Sequence, residues 1–170
     1  MMDSTRCYTT LPPDISDSVH ALLSDCFGQG EHLRHSDELL CRVLICRNES
    51  VIAHGSAYIR QMEIDGKDLK CGIVGGIAVS PKHRGQGLTK QLFATLHNQL
   101  EKQQVVFSFL FAYKPEVYFS SGYQILDTPI HFFDNTTREW QTYVYRGGMI
   151  ANLTSLPLPK STIRFNGCVY

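Results

Sequence analysis

The stretch Val79-Ser80-Pro81-Lys82-His83-Arg84-Gly85-Gln86-Gly87-Leu88-Thr89 separates two segments of different hydrophobic period. Downstream, Leu88, Leu92, Phe93, Leu96 and Leu100 recur at helical spacing, while Lys90, Gln91, Thr95, Asn98 and Gln99 fall elsewhere, which predicts an amphipathic helix. Upstream, Leu69–Ser80 reads as a strand interrupted by Gly75-Gly76, a pair that suggests a bulge or a close approach by another backbone or a ligand. The quoted stretch is therefore a strand-to-helix loop. The first turn of a helix offers unpaired N–H groups and a partial positive charge, a setting that suits phosphate oxygens. Gly85 and Gly87 let the backbone bend toward such a group, and Lys82, His83 and Arg84 add charge. A tight turn alone would also account for Gly-x-Gly. Two other phosphate loops are excluded: the third glycine of the dinucleotide fingerprint is missing, and so is the Gly-Lys-Ser/Thr of the P-loop.

Working outward, residues 5–10 suit a short first strand. Pro12-Pro13-Asp14 opens a helix with Asp14 as expected N-cap, Ile15, Val19, Leu22, Leu23 and Cys26 on one face, and Gly28 and Gly30 at its end. Residues 31–40 read as a loop or short helix. Leu40–Arg47 and Val51–Met62 read as strands around a turn at Asn48-Glu49-Ser50, and Asp65-Gly66 is a strong hairpin signal. Val105–Phe111 is an apolar run suited to a buried strand. Pro115 opens a short helix that Gly122 closes, and Ile130–Phe133 and Gln141–Tyr145 read as further strands before the tail Arg164–Tyr170. The order β-α-(β-β-β)-α-β-α-β-β predicts an α/β sandwich on a mixed, mostly antiparallel sheet.

The 170 residues suit one domain, 1–170, and 16 Lys plus Arg balance 16 Asp plus Glu. A surface of zero formal net charge has no global pull toward nucleic acid or anionic lipid, so neither is expected as a partner. The cysteines, Cys7, Cys26, Cys41, Cys46, Cys71 and Cys168, show no metal-ligand spacing, and no metal is expected. No apolar run is long enough to cross a bilayer, and no apolar signal core follows the first residues, so the expected location is cytoplasmic, with reduced thiols.

Arg84-Gly85-Gln86-Gly87-Leu88-Thr89, lying after a strand and before a helix, resembles the Arg/Gln-x-x-Gly-x-Gly/Ala signature of the GNAT superfamily of acetyl-coenzyme A-dependent N-acetyltransferases. Thr89 departs from the usual small last residue. The likeness extends from about Leu40 to Tyr123 and implies a GNAT-like fold whose central sheet is splayed in the middle. It further implies that the backbone of Ile77, Ala78 and Val79 bonds the pantetheine arm, and that the amides of Arg84, Gly85, Gln86, Gly87, Leu88 and Thr89 take the pyrophosphate. A backbone N–H near Ile77 would polarise the thioester carbonyl. Tyr118-Phe119-Ser120-Ser121-Gly122-Tyr123 resembles a second family signature, Tyr-x-x-x-Gly-aromatic, which implies that Tyr118 protonates the leaving thiolate. No base stands out among Glu31, His32, His54, Glu63, His131 and the carboxylate of Tyr170; mid-strand, His54 reads better as a satisfied structural residue.

The run Ile52-Ala53-His54 and Cys71 through Val79 is similar to the aminoglycoside 2'-N-acetyltransferases, with the nodulation (NodA-like) N-acyltransferases as a related alternative. Where the aminoglycoside branch has a glutamate before the bulge this chain has Gly75, and residues 166–170 carry no acidic side chain. The implied reaction is direct transfer of acetyl from acetyl-CoA to a primary amine of a small molecule or peptide. A longer-chain N-acyltransferase and a non-catalytic acyl-CoA-binding module stay open beside it. Many relatives pair through C-terminal strands, which implies a homodimer as one arrangement.

Overall fold

The computed structural model of the chain describes residues 2–170, which fall into two compact units. The first comprises the described part of Met1–Tyr58 with Val74–Gln99; the second comprises Ile59–Ile73 and Leu100–Tyr170.

In the first unit, β1 (Ser4–Tyr8), β2 (Leu39–Arg47) and the start of β3 (Ser50–Ile64) pair antiparallel in that order. The end of β4 (Lys67–Val79) follows beside β3, where Ser80 N–H donates to the Ile52 carbonyl at 2.8 Å. Asn48 and Glu49 both have positive φ, 49° and 63°, the requirement of a two-residue turn whose twist matches that of the strands it joins. Helix α1 (Pro13–Phe27) buries Val19, Leu22 and Leu23 against Leu44, Cys46 and Ala78. The expected N-cap is corrected: Pro12 holds that position without a side-chain bond, and Asp14 lies in the first turn, where a carboxylate still favours the helix dipole. Helix α2 (Leu88–Lys102) buries the stripe Leu88, Leu92, Phe93, Leu96 and Leu100. Residues 31–38 form no helix and run as a loop into β2.

In the second unit, the strand order is β6-β9-β5-β4-β3-β10-β7-β8. Here β5 is Phe107–Phe111, β6 Tyr123–Ile125, β7 Ile130–Asp134, β8 Glu139–Tyr143, β9 Gly148–Asn152 and β10 Ile163–Arg164. The β10–β7 pair is parallel, whereas β5–β9, β6–β9 and β7–β8 are antiparallel, which makes the sheet mixed. Asp65 and Gly66 (φ 51° and 77°) make the β3–β4 hairpin turn, and the Asp65 carboxylate accepts N–H bonds from Lys160 and Ser161. Strands β6, β9 and β10 go beyond the sequence reading, and β8 lies two residues earlier than the expected Gln141–Tyr145. They are short elements whose pairing depends on partners far away in the chain. The helix expected at Pro115 is a 3-10 helix, Pro115–Ser121, closed as expected by Gly122 at φ 91°.

Candidate functional site

The end of β4 is held from both faces within the first unit. Alternate residues of a strand point to opposite sides, and Ala78 enters the α1 cluster while Ile77 and Leu96 of α2 both lie over Gly55 of β3. Gly55 makes room for both: a Cβ there would lie 2.7 Å from Ile77 Cδ1 and 2.9 Å from Leu96 Cδ1. Of the Gly75-Gly76 pair, where a bulge or close approach is expected, Gly76 has a φ of 63°, which suits glycine. Its carbonyl accepts a bond from His54 Nδ1 at 2.7 Å. His54 is 1% exposed, its Nε2 lies 3.2 Å from Ser56 Oγ, and burial, with the Arg42 charge adding to it, pushes its pKa down to about 4. The ring is thus neutral at pH 7.

The glycine loop continues from this strand. Pro81–His83 forms one 3-10 turn, and Gly85 and Gly87 follow at φ 75° and 78°. The Gly87 carbonyl accepts the first helical bond, from Gln91 N–H at 3.1 Å, so Gly87 occupies the N-cap position and Leu88, Thr89 and Lys90 supply the first-turn amides. A Cβ built at Gly85 or Gly87 would meet nothing within 4 Å, so open space lies over the loop. Arg84, Gly85, Gln86 and Gly87 are exposed, Leu88 is buried, and Thr89 is intermediate.

Neighbouring strands brace the loop through residues the sequence reading did not single out. Arg47, at the end of β2, grips the Asp3 carboxylate at 2.6 and 2.9 Å and donates to Gln86 Oε1 at 3.1 Å. Gln91 Nε2 donates to Thr5 Oγ1 at 2.9 Å. Nothing in the spacing of Asp3, Thr5 and Arg47 announces these contacts, because strand pairing brings them together. The Val79 carbonyl accepts from Arg84 Nε at 3.2 Å and from Cys26 Sγ at 3.5 Å, so within the Ile77–Val79 segment this carbonyl already has partners in the chain.

Tyr118 lies in the second unit, on the 3-10 helix, half-buried, with its phenol pKa raised by burial. Nearby, the buried Tyr123 hydroxyl and Ser108 Oγ are 2.7 Å apart. A raised pKa keeps a phenol protonated at neutral pH, the form that donates a proton.

The candidate bases have definite surroundings. Glu31 is exposed, 3.7 Å from His35, and His32 Nε2 contacts the Gly28 carbonyl at 2.6 Å. Glu63 lies 3.9 Å from Arg164, and His131 bonds Thr142 at 2.7 Å while stacked on Trp140. The Tyr170 ring lies 5.6 Å from the Arg60 guanidinium carbon. Among the described residues, no three His, Cys, Asp or Glu side chains gather as metal ligands, and no helix is long and apolar enough to cross a membrane.

In this α/β domain a glycine loop leads from the end of β4 into the first turn of α2. A profile of the acetyltransferase (GNAT) domain family matches residues 8–126, and the chain belongs to that family. No curated protein sequence matches it. Among solved structures, it is similar to the GNAT family N-acetyltransferase YhbS from Escherichia coli in complex with CoA, at 18% identity and a TM-score of 0.68, covering 95% of this chain and 88% of that one. It is also similar to the ribosomal-protein-S18-alanine N-acetyltransferase from Escherichia coli, at 16% identity and a TM-score of 0.62, covering 92% and 97%. A probable N-acyltransferase from Enterococcus faecalis matches at 17% identity and a TM-score of 0.61 over 74% of this chain, which spans 33% of that longer protein. These likenesses bear out the expected GNAT-like α/β fold.

Proposed function

We propose that this GNAT domain transfers an acetyl group from acetyl-coenzyme A to a primary amine of a small molecule or peptide, by direct attack within a ternary complex. The observation that carries the reading is the start of α2, where Gly85 and Gly87, at positive φ and with open space at their Cβ positions, lead into the first-turn amides at the positive end of the helix dipole. That arrangement suits a pyrophosphate, with the amides from Arg84 to Thr89 as donors. The backbone of Ile77, Ala78 and Val79 holds the pantetheine arm; at Val79 the N–H serves, since the carbonyl is already bonded. Tyr118, kept protonated by its burial, donates a proton to the departing thiolate. Holding both reactants together supplies much of the acceleration through proximity. The structure of YhbS in complex with CoA supports the same donor. The likeness around Cys71–Val79 to aminoglycoside and nodulation enzymes is proposed as a mark of ancestry, since Gly75 supplies no carboxylate for a polycationic sugar.

Calorimetry with coenzyme A, together with thiol release from acetyl-CoA across a panel of amines, tests this. Saturable binding with turnover on at least one amine is expected. Absence of coenzyme A binding at millimolar concentration would overturn the donor assignment. Tight binding without turnover on any amine would favour a non-catalytic acyl-CoA-binding module.

A further inference from the structure

The buried polar side chains Arg42, Ser56 and His54 form a chain that ends on the Gly76 carbonyl of β4. Arg42 Nη1 donates to Ser56 Oγ at 2.8 Å, Ser56 Oγ lies 3.2 Å from His54 Nε2, and His54 Nδ1 lies 2.7 Å from the Gly76 carbonyl. For a neutral ring, only one pattern of protons satisfies all of these contacts. A carbonyl can only accept, so Nδ1 carries the imidazole hydrogen. The Nε2 of a neutral ring then accepts, so Ser56 O–H donates to it, leaving a Ser56 lone pair for Arg42. Arg42 is itself oriented by donating from Nη2 to the Arg34 carbonyl at 2.7 Å. Arg42, Ser56 and His54 are 6%, 1% and 1% exposed, so water does not compete for these bonds.

The Gly76 carbonyl and the Ile77 N–H belong to one planar trans peptide and point in opposite directions. Fixing the carbonyl on His54 therefore aims the Ile77 N–H away from His54. Gly76 needs that control, because its φ of 63° lies where glycine has several other conformations open to it. The fit is also close: a Cβ at Gly76 would stand 3.2 Å from His54 Cε1.

Building on the function proposed above, we infer that His54, oriented by Ser56 and Arg42, is a positioning residue that locks the Gly76–Ile77 peptide so that the Ile77 amide is preorganised to polarise the thioester carbonyl. A donor fixed before the reaction stabilises developing negative charge without having to reorient. His54 takes no proton itself.

The choice of replacement separates positioning from mere filling of the core. Asparagine places an amide N–H near the position of Nδ1, whereas phenylalanine fills the space without a donor. H54F is expected to lower kcat for acetyl transfer by about 10²-fold, the scale of losing one oxyanion donor, while the acetyl-CoA dissociation constant stays within about threefold. H54N should recover most of the lost kcat. S56A keeps the imidazole but removes its orienting hydroxyl, and it should show a smaller loss with the same split; it serves if H54F does not fold. Equal losses in H54F and H54N, or affinity falling in step with kcat in these variants and in S56A, would overturn the inference. If the wild-type chain transfers no acetyl group, the proposed function fails, and the lock is then read from the Ile77 amide by ¹⁵N NMR and hydrogen exchange. A resonance perturbed in H54F and restored in H54N supports it, and an unperturbed one overturns it.

Discussion

Lowering the pH from 7 to about 4.5 should destabilise the protein through two imidazoles, one buried and one half-buried. His54 is buried with Nδ1 on the Gly76 carbonyl of β4, and His97 packs edge-on against Phe93 at a ring distance of 5.5 Å. Burial pushes each to a pKa of about 4, with the Arg42 charge adding to the effect at His54. In the unfolded chain both take up protons near the ordinary value of 6.5. Between pH 6.5 and 4 the unfolded state thus binds more protons than the folded state, and stability falls as pH falls. Each histidine removes roughly 2 kcal/mol by about pH 4.5, and the pair about 4, against a typical total of roughly 5–15 kcal/mol. Asp3 and Asp65, whose pKa values are lowered by Arg47 and by Ser161 respectively, act in the same direction only below the unfolded carboxylate value of 3.8, outside this window. Urea unfolding at fixed ionic strength across the range measures the loss, and NMR titration of the imidazole C–H resonances assigns it. His97→Leu should remove about half of the pH dependence. A loss below about 1 kcal/mol, or either imidazole titrating near its ordinary value, would refute the reasoning.

Gly87→Ala forces a side chain onto φ 78°, so it should cost about 1–2 kcal/mol of stability in urea unfolding and weaken coenzyme A binding about tenfold by calorimetry. Tyr118→Phe should lower kcat by about 10- to 100-fold in a thiol-release assay with acetyl-CoA affinity nearly unchanged, and an unchanged kcat would remove Tyr118 from the mechanism. Gly167→Ala puts a Cβ 2.8 Å from the buried Arg60 guanidinium carbon, whose Nη1 donates to the Cys168 carbonyl at 2.7 Å. It should destabilise the protein by about 1–3 kcal/mol in thermal unfolding, where an unchanged midpoint would show that the tail yields freely.

Local chemistry in the sequence determined the elements that depend on near neighbours. The stripe from Leu88 to Leu100 writes helix α2, because residues three and four apart share a face whatever lies beyond them. Asn48-Glu49 and Asp65-Gly66 write two hairpin turns, and Gly85-Gln86-Gly87 writes the loop, because each needs a backbone conformation that few residues adopt cheaply. Strands β6, β9 and β10 were not legible: each is five residues or fewer, too short for a period to show, and long-range pairing stabilises them. Nor could spacing alone tell whether Gly-x-Gly was an anion site or only a turn. Tertiary structure decided the surroundings of that loop, since Asp3, Thr5 and Arg47 reach it only across paired strands. It also decided the part played by His54. In sequence His54 is one of several polar residues in a strand; in the fold, the β3–β4 neighbourhood puts Nδ1 on the Gly76 carbonyl and Ser56 on Nε2, and burial holds the ring neutral. A hydrogen-bond partner 22 positions away is a property of the sheet, which no local pattern can carry.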